Sequence, residues 1–178
     1  KLIDLQAVRA AADTVGAMVV ADNTFATPYH QNPLNLGADL VIHSATKALG
    51  GHNDLMAGAI AGSKEHYNRL WFTRQAIGTT LDAYSAFLLA RGIKTFELRA
   101  AAMADSAMKI AEFLQGQPKV SRISYPGLPS HPNHEIAARQ MRRGFGGMLA
   151  FDVGDDEEDA KRFIAALKRI CHAVSLGC

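Results

Sequence analysis

Two short, wholly apolar runs constrain the fold of this chain more than any other feature. They cover residues 17–21 and 40–42, and each is shorter than an ordinary core helix. Such runs are typical of strands that are buried on both faces, as in parallel sheets covered by helices. Apolar residues recur at helical spacing from Leu5 to Val15, directly before the first run, and Gly16 ends that pattern. The order helix, strand, loop, strand predicts an α/β layer with a largely parallel sheet.

Further along the chain the pattern changes from long helices to a mixture of short elements. Helices are predicted for residues 64–77, 82–91 and 95–115, with Gly92 as a C-terminal cap. Strands are predicted for residues 56–61, 120–124, 147–153 and 171–176, and later helices for residues 133–142 and 155–168. Asp155 and Glu158 have the spacing of a capping box, and Cys171 is expected to be a packed thiol. The sequence thus predicts a small α+β unit behind a helical connector.

The composition excludes several classes of protein. Among the 178 residues, 19 Lys and Arg against 17 Asp and Glu give a formal charge of +2, too little to indicate a nucleic-acid or membrane partner. No apolar run approaches the roughly 18 residues that a membrane-spanning helix needs. Two cysteines cannot form a disulfide framework, which fits the reducing cytoplasm. A globular protein that acts on small molecules is the remaining expectation.

Polar, chemically useful side chains follow both apolar runs. Asp22 comes directly after the first run, and Ser44, Thr46 and Lys47 follow the second. Ligands of open α/β sheets bind at the carboxyl ends of the strands, so these side chains are expected to share one crevice. Taken singly, each has an ordinary structural explanation, because aspartate often caps a turn, lysine is often solvated, and hydroxyls often bond their own backbone.

Together these four residues match the needs of pyridoxal phosphate. A lysine amine must hold the aldehyde of this cofactor as a Schiff base, for which Lys47 is the candidate. A buried carboxylate, here Asp22, would keep the ring nitrogen protonated. The hydroxyls of Ser44 and Thr46 could donate to the phosphate.

Longer strings extend this chemical interpretation to a family. The chain resembles the cysteine/methionine-metabolism (trans-sulfuration) family of pyridoxal-phosphate enzymes in the strings DNTFATP (22–28), HSATK (43–47), GHND (51–54), RGIKT (91–95), YPGL (125–128), GFGG (144–147) and SLG (175–177). The resemblance implies that Lys47, Asp22, Ser44 and Thr46 have the roles named above, and that Ser175 lies near the substrate carboxylate. It also implies a fold-type-I, aspartate-aminotransferase-like fold.

The resemblance further implies a division of the chain and an assembly. Residues 1–95 would be the second half of the large cofactor-binding domain, and residues 96–178 part of the small C-terminal domain. The family's upstream tyrosine, which stacks on the cofactor, and its downstream arginine, which binds the substrate carboxylate, have no counterpart here. The sequence is therefore expected to be a piece of a longer enzyme, and a homotetramer built from dimers is expected for the whole protein.

The reaction expected from the resemblance is γ-replacement. The GHND string and residues 125–132 are most like the cystathionine γ-synthases, which join an activated homoserine to cysteine. Three alternatives stay open: a γ-elimination lyase or acylhomoserine sulfhydrylase of the same family, another fold-type-I enzyme such as an aminotransferase, and an inactive structural fragment.

A metal site is not expected from the histidines. His131 and His134 form an HxxH pair, but no third ligand lies nearby in the sequence. His52, in the glycine-rich stretch after Lys47, is interpreted as a residue that orders this loop through hydrogen bonds.

Overall fold

A computed structural model of the chain describes residues 2–154, 156–173 and 175–176. Within these ranges the helices are α1 (Leu5–Asp13), α2 (Thr27–His30), α3 (Lys64–Ile77), α4 (Ala83–Ile93), α5 (Phe96–Gln115), α6 (His134–Gln140) and α7 (Glu157–Ala166). The strands of the same ranges are β1 (Val20–Asp22), β2 (Leu40–Ser44), β3 (Gly58–Gly62), β4 (Val120–Ser124) and β5 (Ala150–Val153), and a 3-10 turn spans Pro33–Leu36. The chain is thus mixed α/β.

The first sheet has the strand order β1-β2-β3. β1 and β2 are parallel, whereas β2 and β3 are antiparallel. The prediction of a largely parallel sheet is therefore correct only for β1 and β2. The reason is the connection: the chain turns back after Ser44 without a crossover helix, and a chain that returns directly must pair antiparallel.

The prediction that the first apolar run is a strand buried on both faces was wrong. β1 starts only at Val20, and 52% of the Val20 side chain is exposed. Side chains alternate across a strand, so Val19 and Ala21 face the other way, where they pack with Val41, Ala38 and Ala12 of helix α1. One face of β1 is thus covered by α1, whereas Val20 and Asp22 on the other face are exposed.

Local signals position helix α1 against this sheet. The Asp4 carboxylate accepts the N–H groups of Gln6 and Ala7 at the start of the helix. At the other end, Gly16 takes a φ of 64°, a left-handed conformation that glycine adopts without strain. Asp39 then joins helix and sheet, because Oδ2 accepts both Val19 N–H at 2.7 Å and Arg9 Nη1 at 3.0 Å.

Helix α5 carries a stripe of small buried residues, part of which packs beside the second sheet. Its buried positions recur at spacings of four and three residues: Ala100, Ala104, Ala107, Ala111 and Leu114. Tyr125, fully buried after β4, packs against this stripe together with Leu128. Alanines on the helix leave room for the large ring, and the tyrosine hydroxyl donates to the carbonyl of Gly146 at 2.9 Å.

The second sheet consists of β4 and β5 in antiparallel pairing. Helix α7 packs on this sheet through Phe163, whose ring centroid lies 5.6 Å from that of Phe151 on β5. The predicted strand over residues 171–176 is not formed by the described residues of that range, and Cys171 is exposed rather than packed. A strand requires a hydrogen-bonded partner, and none of the described residues pairs with this segment.

Two predicted helix ends also need correction. Asp156 caps α7, accepting the N–H of Asp159 at 2.9 Å; the predicted cap, Asp155, lies outside the described residues. Gly92 lies inside α4 rather than capping it. A glycine is needed at this position because its backbone touches the carbonyl of Gly50, where a side chain would not fit. Among the described helices, none is both long enough and apolar enough to cross a membrane.

Candidate active site

The carboxyl ends of β1 and β2 lie side by side, because the two strands are parallel and in register. Asp22 is the register partner of Ile42, and the next N–H, that of Asn23, donates to the Ile42 carbonyl at 2.9 Å. β2 continues through His43 to Ser44 at the same edge. The structure therefore brings Asp22 and the end of β2 together where ligands bind in open α/β sheets.

Thr24 joins these two strand ends. Its backbone N–H donates to Asp22 Oδ1 at 2.9 Å. Its hydroxyl oxygen accepts the backbone N–H of Ser44 at 2.8 Å. Sequence reasoning missed Thr24 as a site residue, although its position two residues after an aspartate, typical of an Asx turn, could have indicated it.

Asp22 is exposed rather than buried as expected, and its contacts keep its carboxylate ionised. The Thr24 hydroxyl and then the Thr24 N–H lower the pKa of Asp22 below its ordinary 3.8; partial burial opposes them, and His43 adds to the lowering. Burial lowers the pKa of the half-buried His43 below 6.5, and the Asp22 charge opposes that change. At neutral pH the edge thus carries a negative carboxylate beside a largely neutral imidazole.

Lys47 lies in a tight turn directly after β2. The turn is closed by backbone hydrogen bonds from Lys47 N–H to the Ser44 carbonyl at 3.2 Å and from Gly51 N–H to the Lys47 carbonyl at 2.8 Å. Ala45 and Ala48, both buried, anchor it to the core, while Lys47 itself is half-buried. The side chain is thus held at the protein surface beside the strand ends.

Ser175 contacts the amine of Lys47. The distance from Lys47 Nζ to Ser175 Oγ is 2.9 Å, and the two residues are 128 positions apart. Among the residues that the structure describes, Lys47 forms no ion pair with a carboxylate. A partly buried amine next to a hydroxyl, rather than a carboxylate, is suited to react rather than to form a salt bridge.

The two predicted phosphate ligands differ in their present contacts. Thr46 Oγ1 accepts the Ala57 N–H at 3.0 Å and lies 3.4 Å from the Ala57 carbonyl, so it fastens the turn to the segment that leads into β3. The Ser44 hydroxyl has no hydrogen-bond partner within the described part of the chain. Ser44 is therefore free to donate to a ligand, whereas Thr46 must share its hydroxyl with the backbone.

These residues fit pyridoxal phosphate in their chemistry. Lys47 offers an amine that is not ion-paired with any described carboxylate, Asp22 an ionised carboxylate, and Ser44 a hydroxyl without a described partner. An aldehyde, a ring nitrogen that must stay protonated, and a phosphate are the complementary groups.

The histidines singled out in the sequence have hydrogen bonds to the backbone. His52 Nδ1 lies 2.8 Å from the Gly50 carbonyl, within the glycine-rich loop that follows Lys47. His131 Nδ1 accepts the Asn133 N–H at 3.1 Å, and His134 Nδ1 lies 2.9 Å from the Pro126 carbonyl. Each ring thus orders a local loop.

A lysine in a turn and a carboxylate thus lie at one edge of the sheet, as the sequence predicted. The chain belongs to the family described as Cys/Met metabolism PLP-dependent enzyme, whose family model matches residues 1–178. Membership confirms the family resemblance, the fold class and pyridoxal phosphate as the family's cofactor.

The relatives of the chain include enzymes with different names. It is 45% identical over 177 residues to cystathionine gamma-synthase 1, chloroplastic, of Arabidopsis thaliana, covering 99% of this chain and 31% of that protein. It is 47% identical over 178 residues to cystathionine beta-lyase of Lactococcus lactis subsp. cremoris, covering 99% of this chain and 46% of that protein.

Solved structures show the same relationship. The chain superposes with a TM-score of 0.95 and 40% identity on cystathionine gamma synthase from Xanthomonas oryzae pv. oryzae in complex with aminoacrylate and cysteine, covering 99% of this chain and 46% of that one. The sequence thus spans half or less of the length of these relatives, so the activity of the whole protein is a matter of proposal.

Proposed function

We propose that this chain supplies the lysine-bearing part of the active site of an enzyme of sulfur amino-acid metabolism. The observation that carries the proposal is the amine of Lys47, which lies 2.9 Å from Ser175 Oγ and follows the strand that ends beside Asp22. Two segments far apart in sequence thus converge on one amine at the sheet edge.

Lys47 would hold the cofactor and move a proton. Bound pyridoxal phosphate supplies an aldehyde carbon, which an amine can hold with loss of water, and a protonated ring that withdraws electrons from an amino-acid substrate. The Lys47 amine would also be positioned to accept the proton of the substrate α-carbon. The hydroxyl of Ser175 can orient that amine during both tasks.

Asp22, Ser44 and Thr46 would bind the cofactor. The ionised carboxylate of Asp22 keeps a proton on the ring nitrogen, since an opposite charge favours the protonated form. The Ser44 hydroxyl can donate to the phosphate, and Thr46 can do so after turning its proton away from the Ala57 carbonyl. For Ser175, binding the substrate carboxylate stays a proposed second role.

We propose γ-replacement, forming cystathionine from an activated homoserine and cysteine, as the reaction of the whole protein. The GHND string and residues 125–132 support it. The identities to synthases and lyases differ by only a few per cent, so the relatives alone do not choose between them.

One pair of assays on the full-length protein tests this reaction. The enzyme is incubated with an O-acylated or O-phosphorylated homoserine and cysteine, and separately with cystathionine. Cystathionine formed in the first assay supports γ-replacement. A keto acid and cysteine formed only in the second assay would replace the proposal with a γ-elimination lyase. Matched reactions with Lys47→Ala control for catalysis by free cofactor.

The organisation of the whole protein is also a proposal. We assign residues 1–95 to the large domain and 96–178 to the small domain, supported by separate apolar clusters around Val41 and around Tyr125. A homotetramer of two dimers and a cytoplasmic location follow from the family resemblance and from cysteine usage. Light scattering on the full-length protein would test the tetramer.

A further inference from the structure

We propose that Arg99, on helix α5, is a positioning residue for Lys47, and this inference rests on the proposed role of Lys47 in cofactor binding. The Arg99 guanidinium fastens the turn that carries Lys47 to the end of helix α4. It does not contact the Lys47 side chain; it acts on the backbone that follows that residue.

The guanidinium bonds two separate segments at once. Nη1 donates to the Ala48 carbonyl at 2.8 Å, and Nη2 donates to the Gly92 carbonyl at 2.9 Å and lies 3.4 Å from the Leu49 carbonyl. Nε donates to Thr95 Oγ1 at 3.1 Å, which fixes the plane of the group. Arg99 thus joins the two residues that follow Lys47 to the last turn of α4. It also joins them to Thr95, the residue before α5.

Only an arginine can make this set of bonds. Its planar group presents five N–H donors in a fixed fork, whereas a lysine amine is a single point with rotating donors. Burial lowers the pKa of Arg99 below its ordinary range, and among the described residues no carboxylate pairs with it. Backbone carbonyls therefore provide the compensation that a partly buried cation requires.

Two glycines, Gly92 and Gly51, allow the two segments and Arg99 to approach this closely. A Cβ at Gly92 would lie 2.3 Å from the Gly50 carbonyl oxygen, so the backbones of α4 and the turn are in direct contact. Gly51 has a φ of +73°, and a Cβ there would lie 1.9 Å from Arg99 Nη1. The glycine backbones and the Arg99 guanidinium thus form one close-packed interface, which lies against the residues that follow Lys47.

This interface determines where the Lys47 amine can go. The Gly51 N–H donates to the Lys47 carbonyl at 2.8 Å, so the restrained residues 48–51 also restrain the main chain of Lys47. Without Arg99 the turn can shift relative to β2, and the amine shifts relative to Asp22 and Ser175. A misplacement of about 1 Å at a reacting group can cost about 100-fold in rate.

Capture of the cofactor by the full-length protein tests this role. The apo forms of wild type, Arg99→Met, Arg99→Lys and Thr95→Val are mixed with pyridoxal phosphate. The rate of covalent attachment at Lys47 is followed by absorbance and by borohydride trapping with peptide mass spectrometry. Arg122→Met, which removes an exposed ion pair with Asp152, is the matched control, and melting temperatures are recorded for all variants.

We expect Arg99→Met to slow attachment by about 10- to 100-fold at an unchanged trapping site, with Arg99→Lys intermediate and Arg122→Met unchanged. Thr95 makes no side-chain cap to α5, so Thr95→Val should fold and slow attachment slightly, by about 2- to 5-fold, even if Arg99→Met does not fold. Wild-type rates in the Arg99 variants or in Thr95→Val would overturn the positioning role. Failure of wild type to attach the cofactor at Lys47 would instead overturn the proposed function, and this inference with it.

Discussion

The amine of Lys47 lies 2.9 Å from the hydroxyl of Ser175, across 128 positions of sequence. This contact ties the turn after β2 to the far end of the chain. It also supplies the amine with a neutral partner, which can orient it without neutralising it as a carboxylate would. The geometry of the proposed site therefore depends on a residue that follows both sheets in the sequence.

Replacing Ser175 with alanine should slow the proposed reaction. The Lys47 amine would lose its only described hydrogen-bond partner, so its orientation toward the substrate α-carbon would become variable. We expect kcat to fall by about 10-fold, with a smaller change in KM, because the loss affects orientation more than binding. Steady-state kinetics of the full-length protein check this, with Ser130→Ala, an exposed serine, as control. An unchanged kcat in Ser175→Ala would contradict the role of the contact.

Replacing Thr24 with valine should raise the pKa of Asp22. The valine keeps the shape and the backbone N–H but removes the hydroxyl, which is the largest cause of the lowered pKa. An aspartate with a lowered folded pKa stabilises the protein above its unfolded pKa, and this contribution is lost as the pH falls through the folded pKa. The variant should thus lose its Asp22 charge at a higher pH than wild type. NMR titration of the Asp22 carboxyl carbon measures this pKa in both proteins. The same titration curve in wild type and Thr24→Val would show that Thr24 does not control the charge of Asp22.

The buried His30 should make stability depend on pH. Burial is the largest cause of its lowered pKa, so the unfolded chain takes up the proton first as the pH falls below 6.5. Unfolding should therefore become easier as the pH falls below 6.5 toward the lowered folded-state pKa, by at most about 1.4 kcal/mol per pH unit from this group. Urea unfolding of wild type and His30→Gln measures the slope, and the variant should have a shallower one. Equal slopes in wild type and His30→Gln would contradict the assignment.

Removing the Tyr125 hydroxyl should destabilise the second core cluster. Tyr125→Phe keeps the buried ring but leaves the Gly146 carbonyl without its donor at 2.9 Å. The free energy of unfolding should fall by about 1–2 kcal/mol, the usual cost of an unsatisfied buried polar group. Urea unfolding measures the change. Tyr84→Phe, at an exposed tyrosine of α4, should change it by less than about 0.5 kcal/mol.

The parts of the site that sequence could predict are those determined by local pattern. Apolar runs followed by Asp22 and by Ser44 indicated two strand ends, and parallel pairing places such ends at one edge. The role of Gly92 could not be predicted in this way. Its lack of a side chain serves a contact with Gly50, 42 positions away, and helix-end statistics contain no information about such contacts.

The contacts of Arg99 and the structure around Cys171 could not be predicted from local sequence patterns either. A helical arginine seven residues after a glycine resembles any solvated arginine until the carbonyls that it bonds are known. Residues 171–176 have strand-like composition, yet strand formation depends on a partner that composition cannot supply. The sequence strings shared with the family, by contrast, identified the cofactor. They do so because, taken together, they contain residues from many parts of the chain that the site requires.

The central claim, that Lys47 is the residue to which the cofactor attaches, is tested most directly by borohydride trapping. The full-length protein is incubated with pyridoxal phosphate, reduced, digested and sequenced by mass spectrometry, beside Lys47→Ala and, as a matched control, the exposed Lys94→Ala. We predict a single stoichiometric modification on Lys47 that persists in Lys94→Ala and is absent from Lys47→Ala. Modification of another lysine at equal stoichiometry, or an unchanged yield in Lys47→Ala, would contradict the account.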